Sequence, residues 1–278
     1  MDMHRLETVL FSNGERFPLL VNVKTGIPDF YSTLWVTVEL RNQSAVNTIR
    51  NKLGTIQWIM NWEKQNNLVI SDLIHNKVLL TENELESLIQ HMRINVKKQK
   101  NVINTKKSVL MKGRSQFIDI YSSVSLSHQY NRLTTLSEYI LFLSKVINVS
   151  NEYIEKLTKL IKLIKESRPK NHKTLSIKPE SELPDGLLDE FMSIANFSNP
   201  NNPFQDIGIR KRNHLMFILL KELGIRRGEL LSIQIPFIDI GTAKSSITIR
   251  RTHDDKFDTR KKQAVSKTKE RRLPISQN

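Results

Sequence analysis

KELGIRRGELLSIQIPFID, residues 221–239, decides how this chain is read. Leading into it, Leu215, Ile218, Leu219 and Leu223 recur at helical spacing. Gly224 stops that helix, because glycine tolerates the left-handed conformation at a helix end. A second helix is expected at once, with Leu230, Leu231 and Ile233 as its apolar members. Pro236 ends it, since the residue before a proline is driven out of helical geometry. Arg226 stands between the two, near the start of the second. A guanidinium there is held by two packed elements, the support an anion-binding group needs.

The chain has 278 residues, a length that fits two ordinary domains. Hydrophobic residues make up 38% and charged residues 26%, the balance of a folded protein rather than a disordered one. Lysine and arginine number 43 against 28 acids, a net charge of +15 that points to a polyanionic partner, nucleic acid first. The absence of cysteine excludes a disulfide scaffold and thiolate metal sites. No apolar run reaches the roughly 20 residues that span a bilayer, and the first residues lack a signal-peptide pattern. We expect a soluble cytoplasmic protein with no membrane partner.

Residues 1–40 read as strand and loop, with a hairpin signalled by Asn13-Gly14. Helical periodicity starts near Ser44, with Ser44 and Asn47 as candidate N-caps, and carries Ile49, Leu53, Ile56, Ile59 and Met60 on one face. Trp58 and Trp62 share a face and fit core packing, with base stacking as the lesser reading. Thr81 opens a further helix with capping-box spacing to Glu84. Residues 93–114 carry eight lysines and arginines and no acid, Lys97, Lys98, Lys106 and Lys107 among them. A solvated tail and a loop that follows phosphates remain equally open for that stretch. A helix from Ser125 carries Arg132. Another, 151–166, sets Lys156, Lys159, Lys162 and Lys165 opposite an apolar face. That stripe is either merely solvated or faces a DNA backbone. Residues 168–184 contain three prolines, Lys170 and Lys173, and read as a basic interdomain linker. Beyond it come a short helix near Leu187, a polar loop at 198–203, the two helices around Arg226, and strands at 246–250 and 265–275.

The run Gly224-Ile225-Arg226-Arg227-Gly228-Glu229-Leu230 resembles the first box of the tyrosine recombinases, the phage-type integrases. In that family the box reads Gly, Leu or Met, the catalytic arginine, two variable residues, then Glu-Leu. The resemblance implies a helical DNA-clamping (core-binding) domain at 41–167, the linker, and a mixed α/β catalytic domain from 185. The expected fold class is therefore mainly α with a small β-sheet. It makes Arg226 catalytic and Glu229 structural. Ser266 to Ile275 resembles the family's hairpin strand, which makes Lys267 the catalytic lysine. Lys269, two residues on and on the same strand face, is the second choice. The expected DNA contacts are Lys97, Lys98, Lys106, Lys107, Arg132, Lys156, Lys159, Lys170, Lys173, Arg227 and Lys269.

The implied chemistry is cutting and rejoining of double-stranded DNA through a 3′-phosphotyrosine. A guanidinium forks onto two nonbridging phosphate oxygens as charge develops, and a lysine protonates the departing 5′ oxygen. Protein cations replace a metal, so no cofactor is expected. The family assembles as a tetramer on paired sites; we expect a monomer in solution or dimers on DNA.

The chain departs from the family after the hairpin. There is no His-x-x-Arg box, and Tyr31, Tyr121, Tyr130, Tyr139 and Tyr153 all precede Arg226. We therefore expect a truncated or shortened relative that binds DNA without cutting it. The alternative is a naturally short protein that occupies recombination sites or regulates the full enzyme. Read without the resemblance, Arg226 and Glu229 form an i,i+3 helix ion pair, and His253-Asp254-Asp255 reads as a loop turn rather than a metal site. An RNA-binding reading lacks an aromatic-rich strand motif.

Overall fold

The computed structural model describes residues 3–94, 123–147, 150–170, 184–241, 245–264, 266 and 268–275. Helix predominates, beside two small antiparallel sheets. The chain divides into two compact units, Met1–Val9 with Phe17–Lys173 and Leu10–Arg16 with Thr174–Asn278.

The first unit is built on β1 (His4–Leu10), β2 (Arg16–Asn22), α1 (Phe30–Trp35), α2 (Val46–Asn66), α3 (Ile70–His75), α4 (Glu82–Arg93), α5 (Leu126–Val146) and α6 (Asn151–Glu166). Its core gathers Leu20, Trp35, Leu53, Ile56, Trp62, Leu88, Met92, Leu133, Leu136 and Ile164, all essentially buried. The helix starts follow local chemistry. Glu84 N–H donates to Thr81 Oγ1 at 3.3 Å, and Thr81 N–H donates back to Glu84 Oε2 at 2.8 Å, a complete capping box. Ser125 Oγ accepts His128 N–H at the start of α5. Trp62 is 1% exposed and donates to Ser87 Oγ, while Trp58 donates to the His91 carbonyl and stacks on the His91 ring. Both tryptophans are packing residues.

Two expectations for this half are corrected. Residues 30–40 are helical, α1 running on into a π-helical turn, Val36–Leu40, rather than strand and loop. The β-branched run Val36-Thr37-Val38 mimics a strand, but Asp29 Oδ1 caps Ser32 N–H at 2.8 Å and Trp35, Val36 and Leu40 bury on one side. The cap of α2 is Ala45, extended at φ −63° and ψ 147°: Asn47 already lies inside the helix, and Ser44 closes the preceding turn through its N–H on Leu40 O.

The second unit contains α7 (Leu187–Ile194), α8 (Ile207–Leu223), α9 (Arg227–Leu230), a 3₁₀ turn (Ile235–Phe237), and a sheet of β3 (Ile238–Asp239), β4 (Ser245–Ile249) and β5 (Arg271–Ile275) in the order β3-β4-β5. Both pairings are antiparallel, with Ile238 opposite Ile247 and Ile249 opposite Arg271. Ile225, Leu230, Ile247 and Ile249 form a small core under Leu219, Leu223 and Leu273. The expected second helix is a single turn, because Ser232 N–H turns back to Glu229 O instead of propagating. The last strand is also shorter than expected and starts at Arg271.

The N-terminal hairpin turn, Leu10–Arg16, belongs to this second unit. Gly14 has φ +92°, and a Cβ there would overlap the Asp254 carbonyl oxygen, so the turn requires glycine twice over. Arg16, 3% exposed, donates to the carbonyls of Gly14, Asp255, Asp258 and Arg260. One guanidinium thereby fixes an irregular loop that has no ladder of its own.

In the first unit Glu63 caps α3 from the end of α2, its carboxylate accepting Ile70 N–H at 2.8 Å. Burial, and then the charges of Asp29 and Asp72, push its pKa up to about 7 against the lowering effect of that amide. A carboxyl raised in the folded state takes up its proton more tightly than in the unfolded chain. Stability is therefore greatest below the ordinary value of 4.5 and falls as pH rises toward about 7. Glu63→Gln keeps the carbonyl acceptor and removes the charge. We expect it to stabilise this unit at pH 8 by about 1–3 kcal/mol and to flatten the fall. Urea unfolding followed by tryptophan fluorescence reads this unit alone, since Trp35, Trp58 and Trp62 all lie in it. A variant less stable than the parent at pH 8 contradicts the assignment.

Candidate functional site

The site grows from the junction of α8 and α9. Asp206 caps α8, its Oδ1 accepting Ile209 N–H at 2.8 Å, and Gly224 closes it at φ +57°. The chain then turns outward for two residues. Ile225 buries in the small core, and Arg226, extended at φ −75° and ψ 154°, is the N-cap of α9 with its side chain exposed.

Glu229 sits at the third position of α9 and is 1% exposed. Its carboxylate accepts four donors. Arg226 N–H reaches Oε2 at 2.9 Å. Arg271, at the start of β5, forks onto it, Nη2 to Oε2 at 2.9 Å and Nη1 to Oε1 at 3.0 Å. The Thr268 hydroxyl donates to Oε1. The Arg271 fork, and then the Thr268 and Arg226 donors, outweigh burial and hold the carboxyl down at about 2. Thr268 in turn accepts Arg271 Nη1 at 2.7 Å and contacts buried Ser266 Oγ at 2.9 Å. A helix start and a strand start are thus tied through one anion.

An open cleft of about 460 Å³ lies over this knot, lined by Gly224, Arg226, Glu229, Thr268, Lys269, Glu270 and Arg271, with Glu270 paired to Arg250 at 3.3 Å. The sequence-level candidates Arg226 and Lys269 meet there, both exposed, and neither head group has a partner among the described residues. Arg271, which the sequence reading passed over, meets them in its place beside Glu229. Arg227 is exposed at the first position of α9. Lys269 precedes β5 and so does not lie on a strand face. The i,i+3 ion pair between Arg226 and Glu229 is not formed: Glu229 takes only the Arg226 main-chain N–H, and its anion is spent on Arg271. The cleft therefore offers two unspent cations above a neutralised pair. That arrangement suits an oxyanion held by Arg226 with Lys269 beside it.

The other candidates are distributed as follows. Lys97, Lys98, Lys106, Lys107, Lys173 and Lys267 lie outside the described residues. Arg132, half-buried on α5, donates to the carbonyls of Met92 and Ile94 at 2.9 and 3.0 Å and lies over the Trp58 ring. It closes the end of α4 rather than standing free. Lys156 pairs with Glu152 at 2.7 Å and Lys162 with Glu166 at 3.8 Å, while Lys159 has no partner among the described residues. Lys170 is exposed. In the turn at 253–255, Asp255 Oδ1 accepts Phe257 N–H, and His253 accepts from Arg251. Among the described residues no cluster of three or more histidines and carboxylates could hold a metal ion.

No family model, no curated protein and no solved structure matches this chain.

Glu229 charged is the folded form, so its stabilisation is full above the ordinary 4.5 and is lost as pH falls toward about 2. Glu229→Ala leaves Arg271 and the Arg226 amide without their acceptor. We expect a loss of about 2–4 kcal/mol in the second unit, read as lost hydrogen-exchange protection at residues 225–231 and in β5. Glu229→Gln should show a smaller loss and no added loosening between pH 4.5 and 2. Unchanged protection in Glu229→Ala would remove this residue from the centre of the fold.

Proposed function

We propose that these residues are the DNA-binding portion of a site-specific tyrosine recombinase of the integrase type, with a helical core-binding domain followed by part of a mixed α/β catalytic domain. The single observation that carries the reading is the cleft at Arg226. The residue that the recombinase-like box marks as catalytic is exposed there with an unspent guanidinium, while the Glu229 of the same box anchors its backbone.

The proposed chemistry uses these groups in turn. Double-stranded DNA presents a phosphodiester to the cleft. Arg226 takes its nonbridging oxygens through the planar fork, and Lys269 adds a second cation. Arg271 does not compete for the phosphate, because Glu229 already neutralises it. Lys267, the residue matched to the family's lysine, is the proposed proton donor to the departing 5′ oxygen. Residues 227–278 contain no tyrosine, so the proposal for these residues is phosphate binding. The surplus of +15, and Lys159 and Lys170, which have no partner among the described residues, support a long phosphate footprint.

Binding to duplex DNA is expected to fall about 10³-fold or more between 50 and 200 mM salt, as six or more phosphate contacts would require. Arg226→Ala should weaken binding several-fold and reduce the salt slope by about one contact. The fold should persist, since the side chain has no partner among the described residues. Fluorescence anisotropy across a salt series checks both; an affinity indifferent to salt overturns the reading.

A further inference from the structure

The loop at 250–264 contains a second pocket that the proposed phosphate cleft does not use. It measures about 200 Å³ and is lined by Phe257, Gln234, Gln263, Thr252 and Asp255, with others. Phe257 is 82% exposed, yet its backbone is fixed. Asp255 Oδ1 accepts Phe257 N–H at 2.9 Å, and Asp255 Oδ2 accepts Gln234 Nε2 at 2.5 Å. On the other side the loop carbonyls of Asp255, Asp258 and Arg260 are pinned by buried Arg16. An aromatic ring held out into water on an anchored loop is a surface ready to stack.

We propose that this pocket seats one unpaired nucleobase of a DNA strand, stacked on Phe257. The proposal rests on the DNA-binding reading above and adds a contact of a different kind. A base in a duplex has both faces stacked and its pairing edge occupied; only an unpaired base offers a face and an edge together. The pocket answers both. Phe257 supplies the face. Gln234 and Gln263 supply amides: each Nε2 is held by the protein, on Asp255 and on the Thr252 carbonyl, and each amide oxygen has no partner among the described residues. Each Nε2 spends one of its two N–H donors on the protein, so each amide keeps its oxygen and one N–H for a base edge. Lys256 Nζ lies over one face of the Phe257 ring, 5.0 Å from its centroid, which leaves the opposite face for a base and sets a cation beside it. Asp258 and Arg260 neutralise one another at 2.7 Å and leave that cation unopposed by them.

The test compares three probes with the whole chain at one fixed salt concentration: a strand of about 20 deoxyadenosines, an abasic strand of equal length and charge, and a duplex. The parent protein is expected to prefer the base-bearing strand over the abasic one by about tenfold. Phe257→Ala should abolish that preference and leave duplex affinity unchanged. Phe257→Tyr, which keeps a stacking ring, should retain it. The ring is exposed, so its loss should not unfold the unit; circular dichroism melting checks this. A parent that binds the duplex without preferring bases overturns the pocket alone, as does a Phe257→Ala variant with the preference intact. Failure to bind any of the three probes overturns the DNA-binding reading and the pocket together.

Discussion

One carboxylate governs the second unit. Glu229 is buried at 1% exposure and would carry a heavy desolvation cost alone. It is charged because four donors converge on it, from a helix cap, a loop hydroxyl and the two arms of a guanidinium. Their convergence sets where α9 begins and where β5 begins. It also occupies Arg271 and leaves Arg226, whose amide is held while its side chain has no partner among the described residues. The anchoring of the backbone and the freedom of the guanidinium are two results of the same contact.

Net charge alone does not identify the working cations. Arg132 closes a helix end, Arg16 fixes a loop, Lys156 and Lys162 pair along their own helix, and Arg271 serves Glu229. Arg226, Lys159, Lys170 and Lys269 remain unspent among the described residues. Surface pairs such as Lys156–Glu152 are weak and yield readily to a phosphate, whereas Arg16 and Arg132, held by several carbonyls, do not. The surplus of +15 is thus partly structural.

The sequence disclosed the parts whose causes are local. The capping box at Thr81, the Ser125 cap, the lysine-striped helix ending at Glu166 and the left-handed Gly224 are each fixed by residues within a turn of one another. The hairpin at Asn13-Gly14 was legible for the same reason. What stayed hidden depends on distance along the chain. Arg271 lies 42 residues from Glu229, and nothing in either segment announces the pairing. Gly14 meets the loop at 254–256, some 240 residues away, so its turn chemistry was visible but its packing was not. Val36-Thr37-Val38 has a β propensity that burial of Trp35, Val36 and Leu40 overrides. The strand expected at 265–275 starts only at Arg271, because the Ser266 and Thr268 hydroxyls meet one another and Thr268 turns to Glu229.

The central claim is a division of labour between two arginines, and guanidinium NMR of the whole chain tests it most directly. Without DNA, the Arg271 side chain should show slowed rotation and a distinct signal, and Arg226 should be motionally averaged. On adding duplex DNA, Arg226 should slow and shift while Arg271 stays as it was. If Arg271 instead moves onto the DNA and Arg226 is unchanged, Glu229 does not reserve one arginine for structure and the other for phosphate, and the account fails at its centre.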